Sequence, residues 1–586
     1  MTETIKKAWE IKDSRPELCS LFCSELKLSQ RLSTILINRG IDTLDKAGNF
    51  LNPSLHNLPD PFLMSGMEKA VERLTLAFRR KEKIVVFGDY DMDGISATAI
   101  LVDFLKRTGF AQVTYSIPSR LTEGYGLNQT AISKAHTEGA TLGLTVDNGI
   151  SDNDAIAAAN GLGLDIIVTD HHQIPENLPP AHAIINPHLD TCSYPDKNLA
   201  GVGVAFNLMM ALRKRLRENG LAADVNLLQY LDLVALGTVA DVMPLTGVNR
   251  IFVSFGLKEI NQTRRQGLLA LLFTAKIKAG DPVSARDLAF KLAPRINAAG
   301  RIGDTRVAVE LFLTKDRAIA TKNAQILGEY NDKRRDLEQE IKNEVDELLK
   351  QDKNLSTAKV ILLASANWHP GVVGIVSSRI AEAYDKPAIL IALKDGVGRG
   401  SGRSVPGINL AAILDHCREH LLRHGGHEQA VGLTVAQENI PMLRRCIEHH
   451  LTISDQARTE PLKLLLDGVL SADDINQSLL TELQVLHPLG YGNPEPTFLL
   501  QATKISKVST LGSKDRPHLK FTFVDDKRSY FTGIYFNFKG ITPKTGEIVD
   551  IAFTPEKNIW RGRSEIRVNL ADFRPAANDQ KKDSCL

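Results

Sequence analysis

Short apolar runs alternate with longer amphipathic stretches along the chain, and this alternation sets its divisions. The first sixty residues read as a small helical cap. There "LSQRLSTILINRGID" (28–42) carries an apolar stripe at helical spacing, and the proline-punctuated "LNPSLHNLPDPF" (51–62) reads as loop. From "MEKAVERLTLAFRRKEK" (67–83) the pattern becomes regular. Strands "KIVVFGDYD" (83–91), "QVTYSIPSR" (112–120), "LGLTVDNG" (142–149) and "DIIVTDHHQ" (165–173) alternate with helices at "GISATAILVDFLKRTG", "NQTAISKAHTEG" and "DNDAIAAANGLG". Short apolar strands separated by helices predict a parallel sheet covered on both faces, with polar groups converging at the strand C-termini.

Further on, "RAIATKNAQILGEYNDKRRDLEQEIKNEVDELLKQ" (317–351) is highly charged but keeps a stripe of Leu337, Ile341, Val345 and Leu348. It predicts one long amphipathic helix joining two domains. "AKVILLAS", "GVVGIVSSRIAEAY" and "KPAILIAL" then restart an α/β pattern. In "HLKFTFVDD", "SYFTGIYFNF", "EIVDIAFTP" and "EIRVNLADF" the period changes to two, which predicts a small antiparallel β-domain, a five-stranded barrel. The predicted order is therefore a cap (1–65), an α/β domain (66–312), a connecting helix (313–353), a second α/β domain (354–455), a β-barrel (456–575) and a polar, disordered tail (576–586).

Composition changes little in this picture. With 586 residues the chain exceeds a single core, as the divisions require. A net charge of +2 announces no nucleic-acid partner in bulk, although a segregated basic surface can hide in a small sum. Six cysteines are scattered, and only Cys19 and Cys23 lie close, so they read as reduced thiols in a reducing compartment. The start "MTETIKKAWEIKDSRPE" lacks the apolar core of a signal peptide, and no apolar run reaches membrane-spanning length. A cytoplasmic, self-sufficient monomer is expected.

The chemistry concentrates at the ends of apolar runs. "GDYDMDG" holds Asp89, Asp91 and Asp93, "TVDNG" holds Asp147, "VTDHHQ" holds Asp170, His171 and His172, and "LVALGTVADVMPL" delivers Asp241. A lone Asp after a strand is more often a helix cap, and Asp152 and Asp154 are read that way. His136, His182 and His188 are left as surface or loop residues. Four such arrivals at one sheet edge are different, because buried unpaired carboxylates are costly and these motifs contain no Lys or Arg. Carboxylates with one or two imidazoles suit two divalent cations, Mn²⁺ or Mg²⁺, at the roughly 3.5–4 Å spacing of phosphoester-cleaving metal pairs.

These four motifs resemble those of the DHH phosphoesterase superfamily. "PRINAAGRIGD", "HPGVVGIVSSR", "GRGSGRS" and "HGGHEQAVG" narrow the resemblance to its RecJ family of single-strand-specific 5′-to-3′ DNA exonucleases, over about Lys69 to Phe573. The resemblance implies an α/β fold: a DHH parallel-sheet domain and a DHHA1-like second α/β domain joined by the long helix, plus an OB-type β-barrel. It implies that Asp91, Asp93, Asp147, His171 and Asp241 are metal ligands, with Asp89 an additional ligand or a support for one. It implies that His172 donates to phosphate and that Asp170 orients the histidine pair.

Alone, "GRGSGRS" (Arg399, Ser401, Arg403, Ser404) reads as a flexible loop. Facing an acidic metal site, its glycines, arginines and hydroxyls read instead as a phosphate holder, with His427 in "HGGHEQ" beside it. Arg120, Arg295 and Arg301 are further substrate-binding candidates or, equally, interdomain ion-pair partners. In the barrel Trp560, Arg561 and Arg563, with Tyr535, Phe536 and Phe538, offer stacking and charge to single-stranded DNA, although most aromatics there are expected to be core. The implied function is a metal-dependent exonuclease of DNA repair and recombination, releasing 5′-mononucleotides, with a single-strand-binding protein and a helicase as candidate partners. Two other readings compete. A small-substrate phosphoesterase would lose activity beyond a few nucleotides, and a non-catalytic scaffold would lack ligands.

Overall fold

In the computed structural model, residues 7–12, 15–118, 126–221, 225–454, 463–513, 516–525, 529–538, 540–560 and 563–576 are described. They fall into two compact units, one of residues 59–243 and 252–459, the other of residues 1–58, 244–251 and 460–586.

The first unit contains the predicted parallel sheet. Strand Lys83–Gly88 lies between Gln112–Ser116 and Leu142–Val146, and Asp165–Thr169 and Ala183–Ile185 complete five parallel strands. Its central strands are almost wholly buried, which is why they read as unbroken apolar runs. Ala183–Ile185 is too short to have shown a pattern. "LVALGTVA" forms a buried helix, Leu231–Ala240, rather than a strand, because an apolar run without polar alternation fits either. Asp152 occupies the N-cap position of helix Asn153–Gly161 without capping it; its carboxylate instead accepts from the Leu127 amide at 2.7 Å.

The long helix runs over Arg317–Gln351. Ile341, Val345 and Leu349 lie in the core of the second α/β domain, with Leu337 and Leu348 packed against it. There a mixed five-stranded sheet has only Ile361–Ser365 and Ala388–Lys394 parallel. "GRGSGR" is a strand, Val397–Arg403, and not a loop. A Cβ at Gly398, Gly400 or Gly402 would meet Ile391, Leu433, Val431 or Ile389 at 2.5–3.1 Å, so the glycines let one strand face close onto the core. Cys417 and Cys446, expected as separate thiols, are joined. The C-terminal end of helix Leu410–His416 meets the middle of helix Ile440–Ser454 in this domain, a proximity that a sequence separation of 29 conceals. Cys19, Cys23 and Cys192 are unbonded.

The second unit is built around a five-stranded barrel. Phe498–Ser513 pairs with both Arg516–Val524 and Ile548–Trp560, which closes the sheet; Tyr530–Tyr535 and Arg563–Pro575 complete it, and these two pair in parallel rather than antiparallel. The amino-terminal helices are not an independent cap. Phe22, Ile35, Leu36 and Phe50 share one core with Leu486, Phe498, Phe521, Phe553 and Val568 of the barrel region. Strand Ala8–Ile11 pairs in parallel with Lys463–Leu466. Arg250, fully buried, stacks 3.7 Å from the Phe50 ring centroid and donates to the carbonyls of Phe50, Val485, Leu486, His487 and Pro488. The predicted tail lies, beyond Ala576, outside the described residues.

Candidate metal and phosphate site

Strand Lys83–Gly88 delivers Asp89 at its C-terminal end, and the chain turns at once into helix Met92–Thr108. Asp91 is that helix's N-cap and accepts from the Asp93 and Gly94 amides at 2.9 and 3.2 Å. The turn is tight: a Cβ on Gly94 would lie 2.7 Å from the Asp89 backbone nitrogen. Asp93, buried, accepts from the Gly201 and Val202 amides at 2.6 and 2.9 Å, at the start of helix Gly201–Glu218. Asn297, from the "PRINAAGR" helix, accepts from the Met92 amide at 2.7 Å and so braces the turn. The sequence drew attention to that motif's arginines, because an asparagine bracing a backbone has no chemical signature of its own.

Asp147 follows strand Leu142–Val146 with φ of 63°, a backbone conformation that non-glycine residues seldom adopt and that marks a constrained position. Asp241 closes helix Leu231–Ala240, whose negative dipole end disfavours a carboxylate unless a cation is near. Around the buried His171 these groups converge. Its Nε2 lies 3.0 Å from Asp147 Oδ1, 3.6 Å from Asp241 Oδ2 and 3.9 Å from Asp93 Oδ2. Ligand atoms of Asp93, His171 and Asp241, of Asp147, His171 and His172, and of Asp89, Asp91 and Asp147 form three groups, each within 4.8 Å.

Neither His171 Nε2 nor the buried Asp241 Oδ2 takes part in a hydrogen bond. The Leu199 backbone beside the His171 ring favours its protonated form, the weakest of the influences on it. Burial, with the His172 charge adding, lowers the His171 pKa to about 4. Burial raises Asp93 to about 7, the Asp91 charge contributing, and Asp241 to about 9, the Asp93 charge contributing. Burial and then the charges of Asp93, Asp91, Asp89 and Asp241 hold Asp147 well above the usual carboxylate range. A neutral imidazole facing crowded carboxyls fits divalent cations and is unfavourable without them.

His172 differs from its neighbour. Its Nδ1 lies 2.7 Å from Asp170 Oδ1, and its side chain is half-exposed. Burial pulls its pKa down, but the Asp170 hydrogen bond and charge, helped by Asp241 and Asp93, raise it to about 9. Asp170 also accepts from the His171, His172 and Ile150 amides at 2.7, 3.1 and 3.0 Å.

In the second α/β domain Arg399, Ser401 and Arg403 alternate with the glycines of strand Val397–Arg403 and therefore share its opposite face. Arg403 donates to Ser401 Oγ at 3.2 Å and to the Gly402 carbonyl at 2.9 Å. The first turn of helix Val373–Tyr384 packs directly on this pair, since a Cβ on Gly374 would lie 2.9 Å from Ser401 Oγ. Arg301 donates at 3.2 Å to the Gly371 carbonyl, just before that helix. His427 lies on the exposed rim of the hairpin of strands Arg423–His427 and Ala430–Ala436. Arg295 is turned elsewhere, donating to the Lys291 carbonyl and, at 3.5 Å, to that of Thr274.

In the barrel, Phe538 is core and Tyr535 packs on it, whereas Phe536 is exposed, 5.3 Å from the His518 ring and 5.9 Å from the Arg567 guanidinium. Arg120 and Arg561, and the side chains of Trp560 and Arg563, lie outside the described residues.

A parallel sheet whose strand ends gather aspartates around a tandem histidine is the arrangement of the DHH family, and the model for its N-terminal domain matches residues 83–238. Models of the DHHA1 domain and the RecJ OB domain match residues 355–452 and 466–572. The single-stranded-DNA-specific exonuclease RecJ of Dickeya dadantii is 40% identical over 93% of this chain and 96% of its own, and that of Escherichia coli 40% identical over 87% and 91%. The crystal structure of RecJ from Thermus thermophilus in complex with Mn²⁺ superposes with a TM-score of 0.81 at 32% identity, over 97% of this chain and 79% of that one. The chain belongs to the RecJ family.

Proposed function

We propose that this protein hydrolyses single-stranded DNA from its 5′ end, releasing mononucleotides at a site that takes two divalent cations, Mn²⁺ or Mg²⁺. The names of its relatives, single-stranded-DNA-specific exonucleases, and the Mn²⁺ and Mg²⁺ in the Thermus structures support the substrate and the metals. One observation carries the reading: His171 Nε2, outside any hydrogen bond, lies within 3.9 Å of carboxylates from three separate parts of the chain.

Asp91, Asp93, Asp147, His171 and Asp241 would hold the cations, with Asp89 beside them. When bound, such a pair acidifies a water and offsets charge developing on phosphate. Asp170 commits His172 Nδ1, so Nε2 is the ring atom that donates to a phosphate oxygen, and an imidazole protonated near neutral pH suits that role. Arg399, Ser401 and Arg403, beside the first turn of helix Val373–Tyr384, would hold the terminal 5′ phosphate, because guanidinium groups and helix amides both favour an oxyanion. A terminal phosphate held at a fixed distance from the cleavage site gives 5′-to-3′ polarity. Phe536, His518 and Arg567 offer a base a stacking surface next to a positive charge. Such an activity belongs in DNA repair and recombination.

Asp147→Ala tests the site. Cleavage of 5′-labelled single strands with Mn²⁺ is expected to fall by at least about a thousandfold, the scale of losing one essential group, with strand binding by fluorescence anisotropy retained. A fully active variant would overturn the assignment.

A further inference from the structure

A second group of metal-ligating side chains lies in the second α/β domain and takes no part in the chemistry above. Helix Leu410–His416 ends in His416, and Cys417 is its C-cap. Helix Ile440–Ser454 carries Cys446 and, four residues on and therefore on the same face, His450. The sulfurs of Cys417 and Cys446 and a ring nitrogen of His450 all lie within 4.8 Å of one another. The His416 ring stacks on His450 with centroids 4.8 Å apart and planes 11° from parallel. Cys417 is buried, Cys446 and His450 are half-buried, and His416 is exposed.

A disulfide acting only as a staple accounts for the two sulfurs. It leaves unexplained why an imidazole from each helix gathers at the same point. Two thiolates and one imidazole supply three donors of a tetrahedral zinc site, whose fourth position a water can take. We propose that, with the Cys417–Cys446 bond reduced, Cys417, Cys446 and His450 bind one Zn²⁺, with His416 stacked on the His450 ring and holding its orientation. Thiolates select this softer ion over Mn²⁺ or Mg²⁺, so the site does not compete with the oxygen-rich cluster for metal. Reduction by a phosphine takes up a water: its oxygen leaves as phosphine oxide, its two hydrogens give two thiols, and metal binding displaces both protons. Disulfide and metal are thus alternative uses of the same two sulfurs, and zinc joins the helices only when the thiols are reduced.

The test uses the full-length protein, stripped of metal and reduced with a phosphine without oxygen, then titrated with Co²⁺. Thiolate-to-cobalt charge-transfer absorption, which a carboxylate–imidazole site cannot give, is expected to saturate at one equivalent. Zn²⁺ should abolish the band and Mn²⁺ should not. Cys446→Ser is expected to remove it, and His450→Ala, which keeps both thiols, to weaken Co²⁺ binding by more than about tenfold, the loss that even a partner of a metal ligand can bring. No band in the native protein, an undiminished band in Cys446→Ser, or unchanged affinity in His450→Ala each overturns the proposal. If Cys446→Ser does not fold, the native protein decides alone. Zn²⁺ should slow iodoacetamide alkylation of Cys417 and Cys446, followed by peptide mass spectrometry, at least about tenfold, and an unchanged rate would refute the site.

Discussion

Asp170 illustrates how far one side chain organises the site without facing the other carboxylates. It accepts from three backbone amides and from His172 Nδ1, so its charge and the imidazolium are held together at the strand end. Burial alone would raise the Asp170 pKa, but the His172 hydrogen bond and charge, with the amides, bring it below the ordinary value. Its stabilisation is therefore present above the ordinary carboxylate pKa and lost as pH falls below it. His172 has a folded pKa raised from 6.5 to about 9. Its contribution is complete below 6.5 and disappears as pH rises through about 9. The two windows overlap near pH 5–6.5. In metal-free protein, Asp170→Asn should lower urea-unfolding stability there by about 1–2 kcal/mol, after allowing for solvent screening of a half-exposed imidazole. The deficit should shrink above pH 9. A deficit independent of pH would show that Asp170 acts through its amide bonds alone. The Asp-His-His motif marked this site in the sequence; the division of labour between its histidines came only with the burial of His171 and the contact of His172 with the Asp170 carboxylate.

At the scale of elements, strand Val397–Arg403 separates packing from chemistry by its period of two. Its glycines lie against Ile391, Val431 and Leu433, and its arginines and serine take the other face. A Cβ on Gly402 would lie 2.6 Å from Val431 Cγ2 and 2.9 Å from Leu410 Cδ2. Gly402→Val is therefore expected to destabilise this domain by about 1–3 kcal/mol through overpacking. It should also raise KM for 5′-phosphorylated strands while Mn²⁺ uptake at the carboxylate cluster stays unchanged. Thermal unfolding, calorimetry with Mn²⁺ and steady-state kinetics separate the three effects. The sequence made this strand look like a loop because glycine has low strand propensity, and only the large side chains on neighbouring strands explain its use here. The same limit applies to Leu231–Ala240, whose apolar run could be strand or helix until its place among other helices was known. Where polar and apolar positions did alternate, as in Arg516–Val524, or a helical stripe ran long, as in Arg317–Gln351, the elements were legible.

Over the whole molecule, the pairing of the chain's two ends was the feature least open to sequence reasoning. The apolar stripes of helices Pro16–Leu26 and Gln30–Asn38 announce buried faces, but a stripe does not name its partner, and that partner lies more than four hundred residues away. Besides the shared core, Trp9 donates to Asp572 at 2.9 Å and lies beneath the Arg574 guanidinium, while Arg31 pairs with Asp474 and Glu482 at 2.9 and 3.0 Å. Phe22, Ile35, Leu36 and Phe50 each stabilise by about 1.5–3 kcal/mol through burial. Together that is roughly 6–12 kcal/mol, comparable with the 5–15 kcal/mol of a whole domain. A chain beginning at Pro59 should therefore leave the barrel region unable to hold its fold, although every barrel strand is still present. Limited proteolysis should cut first within residues 463–576 and spare residues 59–243 and 252–454, which should still take up Mn²⁺. Supplying residues 1–58 as a separate peptide should restore protection, since the missing contribution is one of packing. If the truncated chain instead keeps a protease-resistant barrel, the amino-terminal helices are an accessory to that core and not a part of it.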